Sequence, residues 1–206
     1  MAVFLARLRE DAAASLPQEL RETYREAPVA TETADELNVA RPVVQRWRVD
    51  SLLPLLEQNP VADDRETGAR LYREALCIRC HRFGSLGKAV GPELTAVGRR
   101  FSRADLLRSI VEPSQVVAEP YRLTHVSTVD GLTRTGRLLS EGDYRSELLR
   151  LNTEILRPGQ FETIDKKQVE TLQAIEMSPM PVGLLDSLTP AEINALLNYL
   201  QNGLSK

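Results

Sequence analysis

The stretch Cys77-Ile78-Arg79-Cys80-His81 decides how this chain is interpreted, because it gathers three of the four cysteines and histidines among 206 residues. Side chains three positions apart are neighbours on one helical turn, and the histidine follows directly. So tight a cluster of rare residue types predicts a site with a chemical role.

Three kinds of site use cysteines at this spacing. In a c-type haem site both thiols form thioethers with the porphyrin, and the next imidazole binds the iron. Cys77 and Cys80 would then anchor one haem covalently, with His81 as the proximal ligand. A zinc site would need a fourth ligand from the remote His125 or a carboxylate. A thioredoxin-like dithiol would follow a strand, whereas helical sequence precedes this motif. We therefore favour haem.

Capping signals and apolar spacing predict three helices around the motif. They begin in Asp63-Asp64-Arg65-Glu66, Ser102-Arg103-Ala104-Asp105 and Thr189-Pro190-Ala191-Glu192. Pro113 stops the second helix and Gly203 closes the last. Gly68 inside the first costs about 1 kcal/mol relative to alanine, which is understandable if another backbone passes close by. We expect the first and last helices to cross at Gly68.

Beyond the motif, the sequence resembles class I c-type cytochromes. The matching residues are Gly68, Tyr72, the Gly91-Pro92 pair, Leu197-Asn198-Tyr199-Leu200 and Met180-Pro181. The resemblance implies a mainly α fold, the helical fold of class I cytochromes c. It also implies that the Pro92 carbonyl accepts a hydrogen bond from His81 and orients its ring.

The sixth iron ligand is expected to be a methionine, because a thioether favours reduced iron and leaves no open site. Met180 is the first candidate, since it lies between two prolines and matches the family's Met-Pro pair; Met177 is the second. If both methionines only fill the core, the distal ligand would be another residue such as His125, or the iron would be open.

Residues 120–175 change character and predict an inserted antiparallel β subdomain. The candidate strands are Tyr121 to Thr128, Leu132 to Ser140, Glu147 to Leu151, Phe161 to Asp165 and Val169 to Ile175. We expect a small barrel or curled sheet that covers a haem edge or binds a partner. A surface role on the first strand is favoured for His125.

With this insertion, the chain is similar to a bacterial group of haem-binding domains that end long extracytoplasmic proteins, often behind dehydrogenase-like propellers. The similarity runs from about Trp47 to Leu200. It is carried by the attachment motif, Val90-Gly91-Pro92-Glu93-Leu94, Ile110-Val111-Glu112-Pro113-Ser114, Asp130-Gly131 and Ser178-Pro179-Met180-Pro181.

The expected domains are a helical extension or linker over residues 1–60 and a cytochrome domain over 61–206, with 120–175 inserted in it. The extension contains helical pieces around Phe4 to Ala14 and Leu20 to Glu26, separated by prolines. Trp47 and the leucines of residues 52–56 are expected to pack on the cytochrome domain.

Charge and hydropathy exclude other classes of protein. The net charge of −3 lacks the basic excess of a nucleic-acid reader, and no apolar run is long enough to span a membrane. The start is not an intact secretory signal. Because covalent haem attachment takes place outside the bacterial cytoplasm, the resemblance implies a periplasmic or otherwise exported protein. We then expect the natural start to lie upstream or to have been removed.

These observations predict a monohaem c-type cytochrome, an electron carrier and not an enzyme. Its partner would be a redox protein, such as a dehydrogenase domain. Arg79, Arg82 and Lys88 near the motif would attract an acidic partner or hold the haem propionates, and the commoner alternative is that such charges are only solvated. The residues expected to exclude water from the haem are Leu86, Val90, Leu94, Leu107 and Leu184. The alternative is a haem-containing binding or sensor module whose β insertion recognises a partner. A substrate-converting oxidoreductase is disfavoured, since no acid-base set accompanies the motif.

Overall fold

The computed structural model describes residues 41–62, 64–139 and 146–203. All of them belong to one compact unit, Val39–Lys206, so the expected domain boundary near residue 60 falls inside this unit. The helical pieces predicted before residue 41 lie outside the described residues. No helix within the described ranges is both long and apolar enough to cross a membrane.

The helices of the described ranges are α1 (Val49–Gln58), α2 (Arg65–Glu74), α3 (Arg103–Val111) and α4 (Pro190–Asn202). Asp64 caps α2 by accepting hydrogen bonds from the amides of Glu66 and Thr67. Ser102 and Thr189 each form a complete capping box. The three predicted helices therefore begin where side-chain oxygens satisfy the first free amides.

Helices α2 and α4 cross at Gly68, as predicted. A Cβ atom built on Gly68 would lie 2.3 Å from Cβ of Tyr199, which is closer than two non-bonded carbon atoms can approach. Only glycine allows this crossing, so its cost in helix propensity is offset by the packing of α2 on α4.

Helix α1 packs on the same core. Leu52 and Leu56 are buried, and the indole of Trp47 donates a 3.1 Å hydrogen bond to the carbonyl of Leu188. The prediction that Trp47 and the leucine run pack on this domain is confirmed for these residues. Pro54 is one of the prolines of residues 1–60 that were expected to separate short helical pieces, but it lies inside α1 on its exposed side.

Strands form two antiparallel sheets in the described ranges. A short hairpin pairs β1 (Arg82–Phe83) with β2 (Leu86–Gly87). The larger sheet contains β3 (Leu123–Thr128), β4 (Thr133–Leu139), β5 (Leu148–Asn152), β6 (Glu162–Asp165) and β7 (Val169–Ile175). Its order β6-β5-β4-β3-β7 leaves it open at two edges rather than closed as a barrel. Residues 140–145, at the end of the second candidate strand and before the third, lie outside the described residues.

The expectation of a mainly α fold of the class I cytochrome type is wrong, because the protein is a mixed α/β structure. The five-stranded sheet has a hydrophobic core of its own, built on Val126, Leu151 and Ile164. Because it has a separate core, the sheet is a second structural layer and not a small addition to the helical domain. The five strands lie close to the five predicted from the sequence pattern of residues 120–175. The fold class was wrong because it was taken from class I cytochrome motifs, which lie in the helical part and its loops.

Replacing Gly68 by alanine is expected to destabilise the protein. A methyl group at this position must displace Tyr199, and overpacking of this kind costs about 1–3 kcal/mol, more than the helix gains from alanine. The loss in the free energy of unfolding is measured by urea denaturation of both proteins under the same conditions. Gly159→Ala is the matched control, since nothing lies within 4 Å of its added methyl group. A Gly68→Ala protein as stable as the wild type would contradict the crossing.

Candidate functional site

The residues of the attachment motif form a single tight turn. Helix α2 ends at Glu74, and Leu76 adopts a left-handed conformation (φ 61°) that turns the chain away from the helix axis. The carbonyl of Cys77 then accepts hydrogen bonds from the amides of Cys80 (3.2 Å) and His81 (2.9 Å). A non-glycine residue at positive φ costs about 1–2 kcal/mol, and such strain is concentrated at functional sites.

Both thiols of the turn are free, with no disulfide between them. Cys77 is buried, and burial raises the pKa of its thiol to about 12. Cys80 is half-buried, and burial raises its pKa as well, although the charges of Arg79 and Lys88 oppose the rise. The two sulfurs are thus protonated thiols at neutral pH, unlike the activated thiolates of a redox dithiol.

The imidazole of His81 is held in one tautomer. Nδ1 lies 2.7 Å from the carbonyl oxygen of Pro92, the hydrogen bond that the resemblance implied. Since a carbonyl can only accept, Nδ1 carries the proton and the lone pair is left on Nε2. Desolvation lowers the pKa of His81, against a smaller opposing effect of the Pro92 bond, so the ring is neutral at pH 7. A neutral imidazole with a free Nε2 is the form that binds metal.

Two glycines let the backbone approach His81 closely, one at its ring and one at its carbonyl. A Cβ atom on Gly91 would lie 2.8 Å from ring atom Cε1, and one on Gly87 would lie 2.0 Å from the His81 carbonyl oxygen. Gly87 also has a positive φ of 87°, which a side chain would rarely adopt. Gly91 was part of the Gly-Pro signal, whereas the role of Gly87 was not predicted.

The hydroxyl of Tyr72 ties the motif to the helical core. It donates a 2.7 Å hydrogen bond to the His81 carbonyl. The ring of Tyr72 packs at 5.9 Å from Phe83 and 6.1 Å from Tyr199, measured between centroids. The crossing of α2 and α4 therefore helps to position the turn. The resemblance included Tyr72, but it did not predict the partner of its hydroxyl.

The predicted distal residues lie on a separate loop. The amide of Ser178 donates a 3.1 Å hydrogen bond to the hydroxyl of Ser114, and the amide of Met180 donates to the hydroxyl of Ser178. Met180 is half-buried on this pinned loop, whereas Met177 is 54% exposed. The structure thus brings Cys77, Cys80, His81 and Pro92 together; no hydrogen bond among the described residues joins Met180 to that group.

A cleft of about 500 Å³ involves the segment that follows Met180-Pro181 in the chain. It is lined by Arg46, Trp47, Ile110, Val111 and residues 182–186. Cys77, Cys80 and His81 do not line it. Of the residues expected to exclude water, Leu184 lies in this cleft, Val90 and Leu107 are buried elsewhere, and Leu86 and Leu94 are half-buried.

His125, the other histidine, lies on β3 and pairs across the strands with Thr135, whose hydroxyl is 3.0 Å from Nδ1. This contact agrees with the surface role favoured from the sequence. Within the described parts of the chain, no three His, Cys, Asp or Glu side chains are grouped as a metal ion would require.

Sequence reasoning missed one contact from the sheet. The guanidinium of Arg137 on β4 donates a 2.8 Å hydrogen bond to the carbonyl of Val90, two residues before Pro92. No local pattern marks Arg137, because its partner lies 47 residues away in the chain.

Comparison with known proteins gives no match: no protein-family model matches this chain, and neither does any curated protein.

The two free thiols of the unmodified polypeptide are expected to react slowly with iodoacetamide at pH 8. Alkylation follows the thiolate fraction, which a raised pKa lowers, so Cys77 should react at least about a hundredfold slower than in urea. Its rate should rise about tenfold per pH unit up to pH 10, without a plateau. Peptide mass spectrometry separates Cys77 from Cys80, and equal rates in buffer and urea would contradict the burial.

Proposed function

We propose that this protein is a monohaem c-type cytochrome that carries single electrons between redox partners. Cys77 and Cys80 would hold the haem through thioethers, and His81 and Met180 would bind its iron. When bound, haem supplies an iron that takes up and releases one electron. The observation that carries the proposal is the hydrogen bond from His81 Nδ1 to the Pro92 carbonyl, beside two free thiols in the same turn.

The residues present fit this group. Thioether attachment needs two cysteine sulfurs that are not in a disulfide, at one edge of the porphyrin. A proximal ligand needs a neutral imidazole whose Nε2 lone pair is free. Pro92 keeps the His81 ring in one orientation and raises its basicity as a ligand. Gly91 leaves room for the ring, since any side chain there would displace it.

Met180 is the proposed sixth ligand. Its loop is fixed by the hydrogen bonds that connect Ser114, Ser178 and the Met180 amide, so little conformational freedom remains to be lost on ligation. Met177 is the weaker candidate, because more than half of its surface is exposed to solvent. A thioether ligand raises the reduction potential and excludes oxygen from the iron.

Positive charge near the turn supports a carrier role. Arg82 and Lys88 are exposed beside Cys80, and the effect of Lys88 and Arg79 on the pKa of the Cys80 thiol shows that their charges reach it. We propose that these cations attract an acidic redox partner, such as a dehydrogenase domain. Since haem is attached outside the cytoplasm, we also propose that the protein is exported, and that it has no substrate of its own.

Spectra of two methionine variants test the ligand. Met180→Ala should abolish the weak long-wavelength band of oxidised Met-ligated iron and lower the midpoint potential by at least about 0.1 V, since axial ligands set potentials over about 0.8 V. Met177→Ala is the matched control and should keep both properties. The assignment fails if the band survives in Met180→Ala.

Carbon monoxide distinguishes the carrier from the sensor alternative. The reduced wild-type protein should bind it slowly, because Met180 must leave first, whereas Met180→Ala should bind it at once. Immediate binding by the wild type would favour a sensor with an open iron.

A further inference from the structure

Arg137 connects the five-stranded sheet with the loop that holds His81. On β4 it pairs with Asn152 of β5, and alternation places it on the opposite face from Leu138, which packs in the sheet core. Its Nη1 donates a 2.8 Å hydrogen bond to the carbonyl of Val90, a residue only 3% exposed. Arg137 therefore contacts a buried carbonyl in the loop of residues 90–92, which lies against His81.

A continuous chain of hydrogen bonds runs from this guanidinium into the attachment turn. The peptide group of Val90 and Gly91 accepts from Arg137, and its amide donates 2.7 Å to the Cys80 carbonyl. The next peptide group, between Cys80 and His81, donates in turn to the Cys77 carbonyl at 2.9 Å. Because hydrogen bonds in a chain polarise one another, a cation at its start strengthens each later bond.

The loop of residues 90–92 makes both contacts that orient the imidazole of His81. Gly91 lies against the His81 ring, and the Pro92 carbonyl accepts from its Nδ1. A shift of the Val90 carbonyl would therefore move both contacts together.

The charge of Arg137 is directed at this loop. Among the described residues it has no carboxylate partner, whereas Arg134, three positions earlier on the same strand, pairs with Glu162 at 2.8 Å. Hydrogen bonds from charged donors are about twice as strong as neutral ones.

We propose that Arg137 is a positioning residue for His81, so that the inserted sheet supports the proximal ligand through one guanidinium. The effect of Arg137 on an iron ligand rests on the proposed haem function, whereas its hydrogen bond to the Val90 carbonyl does not. The contact and the chain of hydrogen bonds belong to the protein itself, and they can be measured without haem.

Amide hydrogen exchange of the haem-free chain tests the link. Arg137→Met keeps the aliphatic stem and removes every donor, so the amides of Gly91 and His81 should exchange about tenfold faster. The amides of α4 and of the β3-β4 pairing should keep wild-type rates. Arg137→Lys should recover part of the protection. Arg134→Met, which removes the hydrogen bonds to the Glu162 carboxylate and the Thr133 carbonyl, should leave it unchanged.

The haem-loaded protein provides the second readout. Hyperfine-shifted resonances of His81 report its ring orientation, and they should move in Arg137→Met and return towards the wild type in Arg137→Lys. If Arg137→Met does not fold, Arg137→Gln replaces it. Wild-type exchange at Gly91 and His81, or equal acceleration of all amides, would overturn the proposal while leaving the haem function standing. Failure to attach haem would overturn the function alone.

Discussion

The hydrogen bond between His81 Nδ1 and the Pro92 carbonyl is the constraint on which the site depends. It chooses the tautomer, and thereby decides that Nε2 is the atom free to bind a metal. The bond requires residues 90–92 to pack closely against the turn of residues 77–81. Gly91 permits that approach, and the Cys80 carbonyl holds it by accepting from the amides of both Val90 and Gly91.

Two separate parts of the fold hold this arrangement in place. From the helical side, the crossing at Gly68 packs Tyr199 against Tyr72, whose hydroxyl bonds the His81 carbonyl. From the sheet side, Arg137 bonds the Val90 carbonyl. Both the helices and the sheet thus make hydrogen bonds to the turn and its neighbouring loop, and the sheet that carries Arg137 has a hydrophobic core of its own.

Local features were predictable from the sequence, and distant contacts were not. The caps at Ser102 and Thr189 and the crossing at Gly68 follow from short-range chemistry and from the cost of glycine in a helix. The Pro92 bond came from resemblance, since spacing alone cannot distinguish a Gly-Pro turn from a ligand support. Arg137 could not be found, because nothing near it in sequence indicates a partner in another layer. The five strands were predictable from alternation and turn residues. The fold class was wrong because it was inferred from class I cytochrome motifs in the helical layer alone.

The most direct test of the account is the intact mass of the chain after export from a bacterial host that attaches haem to cytochromes. The account predicts a mass increased by one haem, with the pigment retained after denaturation and lost when Cys77 and Cys80 are both replaced by alanine. Exported protein that keeps the mass of the bare polypeptide in such a host would contradict it.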